Sequence, residues 1–158
     1  MKLIYGDLLN MAAEGHFDII VHGCNCFNVM GGGIAYQIAQ RWPQAAEADQ
    51  KTIRGDRSKL GTYTHSFVPC QDHPYGFMII NAYTQYGFTG MGGYSGDVFE
   101  YEAFERIVKD LAMNYPDKRI GFPLIGCGLA SGDRTRIMKI IEDNLPNATV
   151  VEWKMIND

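Results

Sequence analysis

The sequence predicts an α/β fold with a mostly parallel sheet and helices on both faces. Three observations carry that prediction. Apolar runs of strand length alternate along the chain with segments whose apolar residues recur at helical spacing. One run, Ile19–Cys24, is almost wholly apolar, the pattern of a strand buried on both faces. Two glycine-rich stretches, ending at Ala35 and Asp133, each lie between a strand-like run and a helix-like one. With 158 residues, 46% hydrophobic and 20% charged, the chain has the composition of a globular protein and reads as one domain over residues 1–158.

The elements follow in order. Lys2–Tyr5 reads as a short strand, then Gly6-Asp7 as a turn, then Ile19–Cys24 as a strand. After Gly31-Gly32-Gly33 a helix is expected over 34–41. Ile34, Ile38 and Trp42 share one face, and Pro43 stops the helix. Residues 62–68 alternate as a strand with Tyr63, His65 and Phe67 on one face, and 77–82 is another apolar strand. Residues 87–96 hold five glycines and read as a mobile loop. A helix over 98–114 carries Phe104, Ile107, Val108 and Leu111 at the i, i+3, i+4, i+7 spacing. A strand over 119–124 follows. Asp133 opens a last helix with Ile137, Ile140, Ile141 and Leu145 inward, and 149–153 closes the chain as a strand.

Several function classes are disfavoured by composition. A net charge of −4 without a basic run argues against an extended nucleic-acid surface. It leaves room for a single anionic nucleotide, which needs only a local site. Cys24, Cys26, Cys70 and Cys127 form no C-x-x-C pair, and His16, His22, His65 and His73 form no H-x-x-x-H, so no metal or other cofactor is expected. Reduced thiols suit a cytoplasmic protein. No apolar stretch reads as a signal peptide or membrane span, and with no exposed apolar stripe in view a monomer is expected.

Glycine lets backbone turn sharply and approach a ligand, and helix N-termini bind anions. Two such loops facing each other, both at the carboxyl ends of apolar strands, would clamp a diphosphate. A Walker loop would carry a lysine, and neither loop does. A Rossmann fingerprint fails at its sixth position in both Gly31-Gly-Gly-Ile-Ala-Tyr36 and Gly126-Cys-Gly-Leu-Ala-Ser131.

At these residues the chain resembles the macro domain, the module that binds ADP-ribose. Gly6-Asp7-Leu8 resembles the family's early G-D-[IL]. His22-Gly-Cys-Asn25 with Gly31-Gly-Gly-Ile-Ala35 resembles its N-A-A-N…G-G-G-[VI]-[DA]. Gly61-Thr-Tyr-Thr64 resembles its G-x-x-x-x-T strand entry, and Phe122-Pro-Leu-Ile-Gly-Cys-Gly-Leu129 its second phosphate loop. The pieces span almost the whole chain, and their order and spacing are specific. The resemblance implies a three-layer α/β/α architecture around a mixed, mostly parallel sheet. Its ligand would be ADP-ribose or ADP-ribose 1″-phosphate.

Carried over position by position, the resemblance implies that Asp7, with Leu8 beside it, meets the adenine and accepts from its exocyclic amine. Asn25 would hold the distal ribose hydroxyls. Gly31, Gly32, Gly33 and Ile34 would offer backbone N–H groups to the diphosphate, and Gly126, Cys127, Gly128 and Leu129 would close over it. Trp153 or Met155 could supply part of an apolar surface for the adenine, although core packing is the expected fate of Trp153. The bland readings stand beside these: a turn aspartate at 7, a strand-end asparagine at 25, a space-filling Cys127.

The family contains ADP-ribose readers, ADP-ribose 1″-phosphate phosphatases and ADP-ribosyl hydrolases. The ending Gly128-Leu-Ala-Ser-Gly-Asp133 and the segment Tyr83-Thr-Gln-Tyr-Gly87 resemble the stand-alone phosphatase branch. Position 22 is His where Asn is usual, and position 35 is Ala where many hydrolase-type members carry Asp. No lysine stands in Ala82-Tyr-Thr-Gln-Tyr86, which removes a Schiff-base route. The expected catalytic set is Asn25, Asp133 and His22. Asn25 would fix the distal ribose, Asp133 orient or deprotonate a water, and His22 donate a proton or hydrogen bond. Asp133 also reads as a helix N-cap, His22 as a core histidine, and Tyr83, Tyr86 and the 87–96 loop either as a lid or as ordinary surface.

Overall fold

The computed structural model describes residues 1–70, 74–88, 99–126 and 132–153. Six strands form one sheet: β1 (Lys2–Tyr5), β2 (Ile19–Cys24), β3 (Tyr63–Val68), β4 (Phe77–Tyr83), β5 (Ile120–Phe122) and β6 (Thr149–Glu152), in the order β1-β6-β5-β2-β4-β3. Every neighbouring pair is parallel except β3 with β4, which run antiparallel. The expected mixed, mostly parallel sheet is therefore present. The run Ile19–Cys24 takes a central position, with β5 and β4 on its two sides, which is why it can be apolar on both faces.

Helices cover both faces, completing three layers. The helices are α1 (Leu8–Ala13), α2 (Gly33–Arg41), α3 (Pro43–Gln50), α4 (Tyr101–Asn114) and α5 (Arg134–Asn144). On one face Leu8, Leu9, Ile38 and Ala45 pack against Ile20, Phe77, Ile79 and Val151. On the other, Phe104, Ile107, Leu111, Ile137 and Ile141 meet Ile19, Val21, Ile80, Phe122 and Val150. Residues 19 and 20 thus enter opposite cores, as a period of two requires. Each buried aromatic or branched side chain contributes roughly 1.5–3 kcal/mol by leaving water.

Three expectations gain detail. The Gly6-Asp7 turn leads straight into α1, because the Asp7 carboxylate accepts from the backbone N–H of Asn10 and caps it. Pro43 ends α2 and also opens α3 as its first residue, where a missing N–H costs nothing. Along β3, Val68 is buried and Phe67 is 61% exposed, while Tyr63 is partly buried against the core. Among the described residues no helix is long and apolar enough to cross a membrane.

Candidate functional site: a cavity at the carboxyl edge of the sheet

The five parallel strands end on one edge, and the loops leaving them enclose a cavity of about 920 Å³. Open α/β sheets place ligands at this edge, and the volume suits a ligand at the large end of the small-molecule range. Its wall is built from Gly6–Leu9 after β1, Gly31–Ala35 after β2, Pro123–Gly126 after β5 and Val151–Trp153 at the end of β6. Gly23, Asn25 and Val29 also line it, as do Gln85 and Phe88.

The first glycine loop delivers the N-terminus of α2 into this cavity. Gly32 is the N-cap, with extended backbone, no side-chain cap and no acid in the first turn. The earliest amide to find a partner within the helix is that of Tyr36, on the Gly32 carbonyl at 3.3 Å. The N–H groups of Gly33, Ile34 and Ala35 have no intrahelical acceptor. Gly33 sits at φ +55°, a left-handed conformation that favours glycine. By contrast, α1 and α5 begin with capping aspartates, Asp7 and Asp133. The first turn of α2 therefore keeps backbone donors without an intrahelical partner at the cavity wall, the arrangement by which helix N-termini bind anions.

The second glycine loop begins at Gly126, at φ +74°. A Cβ there would stand 2.3 Å from the Phe99 ring, so only glycine lets the loop leave β5 beneath that ring. The Gly132 N–H closes the loop base on the Gly126 carbonyl. Cys127, Gly128 and Leu129 lie outside the described residues, as does Met155.

Asp7 lines the cavity with both carboxylate oxygens oriented by Asn10, one on its backbone N–H at 3.0 Å and one on its side-chain amide at 3.1 Å. Each oxygen keeps a further lone pair. Leu8 lines the same wall. Asn25 is buried at the cavity floor, where its amide donates to the Val29 carbonyl at 2.8 Å and its oxygen accepts from Phe27 N–H at 2.9 Å. Its carboxamide is thus pre-oriented by the loop it begins. The other lining carboxylate among the described residues, Glu152, is held by both Arg134 guanidinium nitrogens at 2.9 and 3.2 Å. No Lys or Arg lines the cavity among the described residues.

Other expected site residues are placed elsewhere. His22 is fully buried on β2, away from the cavity lining, with Nε2 2.6 Å from the Asn81 Oδ1 atom. Burial holds its pKa down at about 4, against which the Asn81 bond pulls only weakly, so the ring is neutral near pH 7. The acid role expected of His22 gives way to a core role. Asp133 is exposed, caps α5 through the Arg136 N–H at 3.3 Å, and is absent from the described cavity wall. Tyr83 is not a lid residue: it is 1% exposed, and its hydroxyl donates to the Asp49 carboxylate at 2.8 Å. The Tyr86 hydroxyl donates to the Gly55 carbonyl at 3.1 Å. The rest of the expected lid, from residue 89, lies outside the described residues. Trp153, expected in the core, is 67% exposed at the cavity rim.

Gln85, in the Tyr83–Gly87 segment, and Phe88, in the expected lid loop, both line the cavity. Glu152 and its Arg134 partner escaped sequence reasoning, since no local pattern marks them and Glu152 reaches the cavity only through the sheet order. Behind the first loop lies a second unforeseen group, the buried Lys59 and Asp49.

The chain has three α/β/α layers with a cavity at the carboxyl edge of its sheet, and comparison with known proteins specifies the fold. A family model described as Macro domain matches residues 21–141. An uncharacterized 17.5 kDa protein of the tk-vs intergenic region of Enterobacteria phage T4 is similar over 161 residues at 33% identity, covering 98% of this chain and 97% of its own. The Saccharomyces cerevisiae ADP-ribose 1″-phosphate phosphatase matches at 59% identity over 27 residues, 17% of this chain and 15% of the yeast protein. In structure the chain is similar to Thermosipho africanus DarTG in complex with ADP-ribose, with TM-score 0.73 and 16% identity, over 99% of this chain and 43% of that one. The chain belongs to the macro domain family.

Proposed function

We propose that the cavity binds ADP-ribose and that the protein hydrolyses ADP-ribose 1″-phosphate to ADP-ribose and inorganic phosphate. The observation that carries the binding half is the uncapped first turn of α2, opening on a large cavity between Asp7 and Asn25. A diphosphate fits those N–H groups, adenine fits the Asp7 end, and a distal ribose fits Asn25. Membership of the macro domain family and the ADP-ribose held by the Thermosipho protein support the same ligand.

The hydrolytic half rests on the short match to the yeast phosphatase and on the ending of the second loop. In this reaction a water oxygen attacks phosphorus, the bond to the 1″-oxygen breaks, and that oxygen takes a proton. Such transfers depend mostly on positioning and on stabilising charge on the phosphoryl oxygens. Asn25 and the backbone amides of the two loops supply those functions. Asp133 would reach the reaction only from the exposed end of α5.

Three assays on the purified chain test this. Calorimetry should show one ADP-ribose bound per chain, and inorganic phosphate should appear from ADP-ribose 1″-phosphate. Binding without phosphate release leaves a reader, or a hydrolase if ADP-ribose is freed from a modified protein or nucleic acid. Absence of ADP-ribose binding overturns the whole reading.

A further inference from the structure

Asn25 is oriented by the Val29 carbonyl, so the position of that carbonyl decides where the carboxamide points. The loop between them turns through a left-handed residue: Asn28 is the one non-glycine among the described residues with positive φ, at +58°, a conformation asparagine adopts more readily than most side chains. Its side-chain contacts hold it in place.

The hold comes from outside the cavity. The Asn28 side chain faces the segment that follows α3. Lys59 Nζ donates to the Asn28 Oδ1 atom at 2.7 Å, and Asn28 Nδ2 donates to the Thr52 carbonyl at 2.9 Å. Gln50 Nε2 donates to the Asn28 carbonyl at 2.8 Å. A backbone bond from Gly55 N–H to the Cys26 carbonyl, 2.6 Å, adds a second tie. Lys59 itself is 7% exposed. Its ammonium also donates to Thr52 Oγ1 at 2.9 Å and lies 5.2 Å from the centre of the Tyr83 ring. Tyr83 in turn donates to Asp49, which is 1% exposed. Burying a lysine is costly unless its charge is compensated, and two hydrogen bonds, a ring face and a nearby carboxylate all converge on this one. Neither Lys59 nor Asn28 lines the cavity.

We propose that Lys59 is a positioning residue for ligand recognition: through Asn28 it fixes the 25–29 loop, and so aims the Asn25 carboxamide at the distal ribose. This rests on the ADP-ribose reading given above. The clamp acts on one end of the ligand. AMP carries the adenosine and one phosphate but no distal ribose, so it should be insensitive to the clamp.

The test uses Lys59→Met, which keeps the stem and removes the charge, and Asn28→Gly, which keeps the left-handed backbone and removes the side chain. Calorimetry measures ADP-ribose and AMP affinity for each variant, with thermal denaturation as the check on folding. The expected result is a loss of about tenfold in ADP-ribose affinity with AMP affinity unchanged within about twofold. Equal weakening of both ligands, or an unchanged ADP-ribose affinity, overturns the proposal. If Lys59→Met does not fold, Asn28→Gly alone decides. If the wild-type chain binds no ADP-ribose, the functional reading fails, and the clamp is judged on the free protein. The Asn25 side-chain amide resonance must then move in a nitrogen–proton spectrum of Lys59→Met or Asn28→Gly, and an unmoved resonance rejects it.

Discussion

Substituting Gly32→Asp should make the protein slightly more stable and close to inactive as a binder. Gly32 is the N-cap of α2 with φ −142° and ψ 158°, extended backbone that aspartate adopts without strain. At the same position of α1 and α5 the chain already uses aspartate. Replacing a glycine cap by aspartate is worth a few tenths of a kcal/mol, or about 1 °C in melting temperature for a chain of this size. The same carboxylate would sit on the N–H groups proposed to hold the diphosphate. A carboxylate and a phosphate about 4 Å apart repel by roughly 4 kcal/mol at an effective permittivity near 20, close to a thousandfold in affinity. Calorimetry with ADP-ribose and a thermal melt measure the two effects on one sample. Gly32→Asn provides the control, since it caps the helix without the charge and should lose much less affinity. Gly32→Asp binding within about threefold of wild type would mean that the phosphates do not sit on α2.

Other outcomes follow from the same geometry. His22 has a folded pKa of about 4, below its unfolded value of 6.5, because burial opposes its charge. Its stabilising contribution is full above pH 6.5 and is lost as pH falls from 6.5 to 4, up to about 3 kcal/mol. His22→Gln should flatten that part of a pH–stability curve measured by urea unfolding, and an unchanged slope would place the titration elsewhere. Asp133→Ala should cost about 1 kcal/mol of stability through the lost cap and leave ADP-ribose affinity unchanged within about twofold. Phosphate release that vanishes while affinity holds would make Asp133 a catalyst as well as a cap. Because no Lys or Arg lines the cavity among the described residues, ADP-ribose affinity should fall by no more than about twofold between 50 and 300 mM salt. A tenfold fall would point to a lysine or arginine in contact with the phosphates.

The sheet was legible because its strands obey simple rules. Ile19–Cys24 reads as a buried central strand, and the stripe Phe104, Ile107, Val108, Leu111 reads as a helix; both are observed. The short helices were not legible. The six residues of α1 are too few to show a period, and α3 buries only Ala45 and Asp49. The glycine loops announced a site because backbone geometry at a ligand demands a residue type. Lys59 and Asp49 announced nothing, since their partners lie at Asn28 and Tyr83, 31 and 34 positions away. Trp153 misled because its size predicts burial, whereas β6 ends one residue earlier and leaves the indole at the rim.

The cavity draws its walls from segments as far apart as Gly6 and Trp153, joined only by the strand order β1-β6-β5-β2. No fragment of the chain assembles it, so occupancy and global folding are thermodynamically linked. A ligand at one hundred times its dissociation constant adds about 2.7 kcal/mol to the stability of the whole chain, which is about 5–11 °C in a thermal melt. A dye-based melt against a panel of nucleotides therefore reads this site without any assay of chemistry, and the size of each shift ranks the ligands.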